Sequence, residues 1–133
     1  MQKLKLLSIA LILWTSHQVN AQAVEESAIR KVITSFAKAG DTNNSDELSN
    51  YLHDNYRLIM NQLFGSEEVS IMPKSVYMEK IKSKEFGGDT RTLTFDSIII
   101  NGLTATTKVI FEGEKMKVAS LITLVKNKNE DWV

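Results

Sequence analysis

A chain of 133 residues with 16 basic and 16 acidic side chains has room for one hydrophobic core and no excess charge to grip nucleic acid or an anionic lipid surface. It contains no cysteine, which excludes disulfides, thiol catalysis and thiolate metal sites.

The first residues read as an address. Met1 to Lys5 is a short positive start, Leu6 to Trp14 an apolar run broken only by Ser8, and Thr15 to Asn20 a polar stretch. Val19-Asn20-Ala21 has the form of a small-residue cleavage site, so the three parts of a secretory signal stand in order. The apolar run, about nine residues, is too short to cross roughly 30 Å of hydrocarbon as a helix. Cleavage is expected before Gln22. Residues 1–21 are then a signal peptide and residues 22–133 one periplasmic or secreted domain, with no membrane attachment after cleavage. Lys3 and Lys5 leave with the signal, so the mature domain is slightly acidic. Its sole histidine is His53, and with no ligand spacing around it neither a metal nor a cofactor is expected.

Val24, Ala28, Ile29, Val32, Ile33, Phe36 and Ala37 recur at helical spacing and predict an amphipathic helix ending at Gly40. Asp41 to Ser45 is a turn cluster, and Asn44 or Ser45 can cap a second, short helix carrying Leu48, Tyr51 and Leu52. Tyr56 to Phe64 reads as a strand. Gly65 to Met72 is a loop with an edge strand at Val69 to Ile71. Pro73 is suited to open a third helix, whose buried side is Val76, Tyr77, Ile81 and Phe86, and Gly87-Gly88 breaks it. From Arg91 onward the pattern turns to strands: Thr92 to Ile100, a hairpin turn at Asn101-Gly102 of type I′, Leu103 to Glu112, and Lys115 to Lys126. Asn127 to Asp131 turns again into Trp132-Val133. Helices first and hairpins later make an α+β fold.

Four stretches carry a resemblance. They are Glu26 to Ile33, Asp46 to His53, Pro73 to Ile81, and the terminal meander running through Lys126-Asn127-Lys128-Asn129-Glu130-Asp131 to Trp132-Val133. In order and pattern they resemble the nuclear transport factor 2-like superfamily, in its SnoaL-like and lumazine-binding-like branch of small exported proteins. The resemblance implies a cystatin-like cone: three N-terminal helices packed on a curved, mostly antiparallel sheet that encloses a pocket. Members usually continue past the tryptophan, so the last strand is expected to be truncated at Val133.

The resemblance also directs attention to particular side chains. Enzymes on this fold use an aspartate or histidine as acid or base, often beside a tyrosine. His53 and Asp54, just before the first strand, with Tyr56 as phenolic donor, are the catalytic candidates. The competing reading is that His53-Asp54-Asn55 only turns the chain. Asp96 interrupts an apolar strand; on strict alternation it shares a face with Thr92, Thr94, Ile98 and Ile100, and it lines the cone if that face points inward. Phe36, Tyr51, Met60, Phe64, Tyr77, Phe111 and Trp132 are candidates for the pocket wall, or for plain core. Three functions follow: a non-catalytic pocket for an unknown small molecule, an acid–base enzyme of isomerase, dehydratase or cyclase type using His53 or Asp54, or a homodimeric association module built on the open sheet face.

Overall fold

The computed structural model describes residues 2–63 and 65–133, with side chains from Ala21 onward. The side chains of residues 1–20, and the whole of Met1 and Phe64, lie outside the described residues. In chain order the elements are α1 (Gln2–Asp41), α2 (Ser45–Ser49), β1 (Arg57–Asn61), β2 (Val69–Pro73), α3 (Lys74–Lys82), β3 (Thr92–Asn101), β4 (Thr104–Glu112) and β5 (Lys117–Val125). All strand pairing is antiparallel: β1 and β2 form one hairpin, and β3, β4 and β5 a three-stranded meander. The expected α+β architecture is present, with α3 following the first hairpin.

Helix α1 packs by its spacing. Ile29, Ile33 and Ala37 lie four residues apart on one stripe, and all three are buried; full burial of an isoleucine is worth about 1.5–3 kcal/mol. They meet the inner face of the meander at Ala105, Val109, Phe111, Leu124 and Trp132. A second cluster, built on Ala39, Leu48, Leu52, Met72, Tyr77 and Ile81, joins the end of α1 to α2, α3 and the β1–β2 hairpin. Phe36 packs against both.

The element boundaries correct several expectations, each for a local reason. Gly40 does not end α1. Asn43 takes the left-handed conformation, with φ of 52°, and its amide side chain donates to the carbonyls of Ile81 and Phe86. The loop after α3 crosses the end of α1 closely: a Cβ on Gly87, at φ +82°, would collide with the Gly40 carbonyl, and a Cβ on Gly40 would meet Arg91 Nη2 at 3.3 Å. Asn44, not Ser45, caps α2, accepting from the Glu47 amide at 3.2 Å. Pro73 is the last residue of β2 and the cap of α3, whose first residue is Lys74. At the β3–β4 hairpin Asn101 pairs with Thr104, so the two-residue loop is Gly102-Leu103. Only Gly102 has positive φ there, which is the pattern of a type II′ turn and not of the expected I′.

The largest correction is a bulge at Asp96. Phe95 pairs with Val109 and Ser97 with Lys108, leaving Asp96 as an extra residue. A single inserted residue swaps the faces of everything after it. Leu93 and Phe95 point inward before the bulge, and Ile98 and Ile100 after it. Strict alternation had set Ile98 and Ile100 apart from Leu93 and Phe95. Thr107, fully buried across from the bulge, donates to the Ser97 carbonyl at 2.6 Å.

The chain after β5 is tied to α1. Lys126 bridges Trp132 and Val125 exchanges backbone bonds with Val133. Glu25 accepts from Lys126 Nζ and from Trp132 Nε1, both at 2.7 Å. These two bonds, Lys126 first, hold the Glu25 carboxyl below the usual carboxylate range. A lowered carboxylate contributes stability above its unfolded value, about 4.3, and loses it as pH falls through the folded value. Glu25→Gln is therefore expected to cost stability at neutral pH and to shrink the acid-side loss. Urea titrations at several pH values check this, and an unchanged acid limb would count against it.

Candidate functional site

Tyr77 stands at the centre of an aromatic group between α1, α3 and the start of β1. Its helix presents it inward with Ile81, one turn on. Phe36 stacks against it from α1 at 6.4 Å between ring centroids, Tyr56 tilts over it at 5.3 Å, and Phe86 meets it edge-on at 6.2 Å. Met60 and Met78 pack at the margin. Burial pushes the Tyr56 hydroxyl above the ordinary tyrosine range, and a charge on Tyr77 would push it further. Burial likewise raises Tyr77, with Arg91 lowering it and Asp41 raising it. Both phenols therefore keep their protons at neutral pH.

Neither phenol oxygen has a hydrogen-bond partner among the described residues, and no fully enclosed side-chain nitrogen or oxygen among them goes unpartnered. Each hydroxyl therefore keeps some exposure, with its donor unused among the described residues. Protonated phenols that donate, set among aromatic rings and methionine, suit an apolar molecule with a hydrogen-bond acceptor.

Behind this group lies an ion pair. Arg91 Nε donates to Asp41 Oδ1, the Arg91 backbone amide donates to Oδ2 at 3.0 Å, and Arg91 Nη2 reaches the Ala37 carbonyl at 3.2 Å. The guanidinium lies over the Phe111 ring at 5.1 Å. Arg91 thus links the end of α1, the start of β3 and the inner face of β4, and its charge is balanced beside Tyr77.

Outward from Tyr56 runs a shallow open groove of about 770 Å³, lined by residues including Asp54, Tyr56, Arg57, Ile71, Lys74 and Met78. Tyr56 and Met78 belong to both the groove and the aromatic group. The groove falls within the volume of ordinary small-molecule sites, about 300–1,000 Å³. It opens Tyr56 to solvent.

The structure brings together some of the expected residues and separates others. Phe36, Tyr56, Met60 and Tyr77 meet, with Tyr51 on the same cluster, its hydroxyl donating to Glu47 at 3.3 Å. Phe111 and Trp132 are buried in the other cluster, against α1. His53 is exposed at the end of the α2 turn, its Nδ1 accepting from the Asn55 amide at 3.1 Å. The Asp54 side chain is fully exposed, 3.5 Å from Lys74. Both occupy the turn that their residue types favour. Asp96 does not line the interior: the bulge leaves it in solvent, 2.8 Å from Lys108. Sequence reasoning missed Arg91 and Asp41. The available signal was position alone, one charge at each junction between a helical stretch and the next element.

Comparisons with known proteins agree with this architecture. The profile of the family described as "Putative lumazine-binding" matches residues 24–133. No curated protein matches the sequence. Among solved structures, a nuclear transport factor 2-like protein of unknown function from Silicibacter pomeroyi is similar at a TM-score of 0.71 and 10% identity, over 84% of this chain and 90% of that one. Another, from Shewanella baltica, is similar at 0.71 and 14%, over 84% and 88%. A putative scytalone dehydratase from Novosphingobium aromaticivorans is similar at 0.52 and 16%, over 86% and 81%. Likeness at these identities is likeness of fold. On the match over residues 24–133 the chain belongs to the Putative lumazine-binding family, and its cone-like α+β fold is that of the nuclear transport factor 2-like proteins.

Proposed function

We propose that this protein is exported and binds a small, neutral, largely apolar molecule at the Tyr56–Tyr77 group, without catalysing a reaction on it. The observation that supports this most is the pair of sheltered phenols with free, protonated hydroxyls. The balanced Arg91–Asp41 pair leaves no net charge there to attract an ion. Export rests on the signal pattern of residues 1–21, which directs the domain to the periplasm or the medium. An acid–base role for His53 and Asp54 has less support, since a general base must be within reach of a bound substrate's proton and Asp54 is wholly exposed.

Native mass spectrometry of the protein purified from its own compartment tests the reading. A retained molecule is expected, and Tyr56→Phe and Tyr77→Phe are each expected to weaken its binding roughly 5- to 15-fold, the effect of losing a hydrogen bond of about 1–1.5 kcal/mol. Unaltered affinity in both variants would overturn the site.

A second reading, homodimerisation, is favoured by the outer face of the meander. Ile99 and Leu121 stand there 66% and 78% exposed, with Ala119 also in solvent. Pairing of two such faces is compatible with an occupied interior. Sedimentation of wild type against Leu121→Lys tests it: a dimer should dissociate in the variant, and a monomeric wild type removes the reading.

A further inference from the structure

We propose that the outer face of the β1–β2 hairpin is a docking surface for the same face of a second copy of this chain, the two hairpins packing with their ends exchanged. The surface is separate from the meander face.

Alternation and register build the surface. Leu58, Met60 and Met72 turn inward to the cluster that holds Tyr77. Arg57, Ile59 and Asn61 of β1 therefore share the outer face with Val69, Ile71 and Pro73 of β2, and Ile59 pairs directly with Ile71. Ile59, Val69 and Ile71 are 56%, 59% and 63% exposed. Three neighbouring branched aliphatics on the solvent side of one hairpin form a contiguous apolar patch, which is the mark of an interaction site. Ile71 and Arg57 also line the groove that opens Tyr56 to solvent, so a copy docked on the patch stands at the margin of that groove.

Charge selects the occupant. Arg57 stands at one end of the patch, and Glu67 and Glu68 stand at the other, just before Val69. All three are exposed, and none has an ion-pair partner among the described residues. The other charges beside Arg57, Lys74 and Asp54, lie 3.5 Å apart and balance each other. A cation at one end and carboxylates at the other make the patch self-complementary. A twofold axis along the Ile59–Ile71 pair sets each isoleucine on its own counterpart and exchanges the ends. Arg57 then faces the partner's Asn61, one step from the level where the Gln62 amide donates to the Glu68 carbonyl at 3.3 Å. That step is short for an arginine side chain, so Arg57 reaches the carboxylates at the tip. An anionic lipid surface fits less well, because Glu67 and Glu68 repel it. The meander face lacks such a pattern: Lys108, in register with Leu121, is already paired with Asp96.

Sedimentation velocity of wild type, Ile59→Lys and Leu121→Lys over a range of concentrations, with a melting curve for each, tests the proposal. Wild type is expected at twice the monomer mass. Ile59 is more than half exposed, so Ile59→Lys should melt as wild type does yet sediment as a monomer, while Leu121→Lys should stay paired. Arg57→Glu sets like charges together and is expected to raise the dissociation constant roughly tenfold, and adding Glu67→Arg with Glu68→Arg should restore it. A monomeric wild type overturns the proposal, and so does a dimer that survives Ile59→Lys. A dimer lost only in Leu121→Lys assigns the contact to the meander and overturns it too. Charge reversal that the added arginines do not restore overturns the exchanged ends. The retained-ligand mass is read separately, so each of these failures leaves the Tyr56–Tyr77 site standing.

Discussion

Replacing Arg91 with leucine is expected to lower stability by about 3 kcal/mol, the lower end of the loss when one partner is removed from a buried ion pair. The Asp41 side chain is only 9% exposed, whereas that of Arg91 is 21% exposed. Leucine leaves a sheltered carboxylate without its counter-charge, and also frees the Ala37 carbonyl and uncovers the Phe111 ring. The loss stays at the low end because the backbone amide of residue 91 still donates to Asp41 Oδ2. A domain of this size should then melt roughly 10–15 °C lower. Asp41→Asn combined with Arg91→Leu should cost less than the two single changes added together, because no unpaired charge remains. Additive costs would show that the pair is an incidental surface contact. The lost guanidinium also ceases to lower Tyr77, so the Tyr77 phenol in Arg91→Leu should ionise at higher pH, readable in the tyrosinate absorbance.

That pair illustrates what the sequence could and could not disclose. Helical spacing located the α1 stripe, because Ile29, Ile33 and Ala37 obey a rule that spans only four residues. The element order of the meander, and with it the family, was legible for the same reason: alternation and turn residues act locally. The bulge at Asp96 was not legible, since an inserted residue is defined only by the partner strand, here Val109 and Lys108. Gly40 was misread as a helix stop because its close neighbours, Arg91 and the Gly87 loop, lie far along the chain. The same limit governed the site. Tyr56 and Tyr77 were visible as aromatic residues of a wall, but their meeting depends on how α3 docks against β1. Asp41 and Arg91, fifty positions apart, had no local pattern at all. His53 and Asp54 drew attention as residue types able to do chemistry, yet the geometry leaves both in solvent.

Removing the Tyr77 ring should be as damaging as breaking the ion pair, while removing only its hydroxyl should not. Tyr77→Ala deletes the ring on which Phe36, Tyr56 and Phe86 converge and is expected to cost about 3–5 kcal/mol. Tyr77→Phe keeps the ring. Its hydroxyl has no protein partner among the described residues to lose, so the neutral-pH cost should be under about 1 kcal/mol. The difference between wild type and Tyr77→Phe should emerge in alkali. A raised folded pKa means that the native protein holds a proton which the unfolded chain releases. The resulting stability is complete below the unfolded tyrosine value, about 10, and is lost as pH rises towards the folded one. Each such tyrosine contributes a fall of about 1.4 kcal/mol per pH unit in that window. Wild type has two, Tyr56 and Tyr77, and Tyr77→Phe has one, so the alkaline slope of its unfolding free energy should be about half as steep. Equal slopes would mean that the Tyr77 phenol is as well hydrated in the native protein as in the unfolded chain. A sheltered donor is what the proposed ligand requires, so this measurement bears on the binding site even before a ligand is in hand.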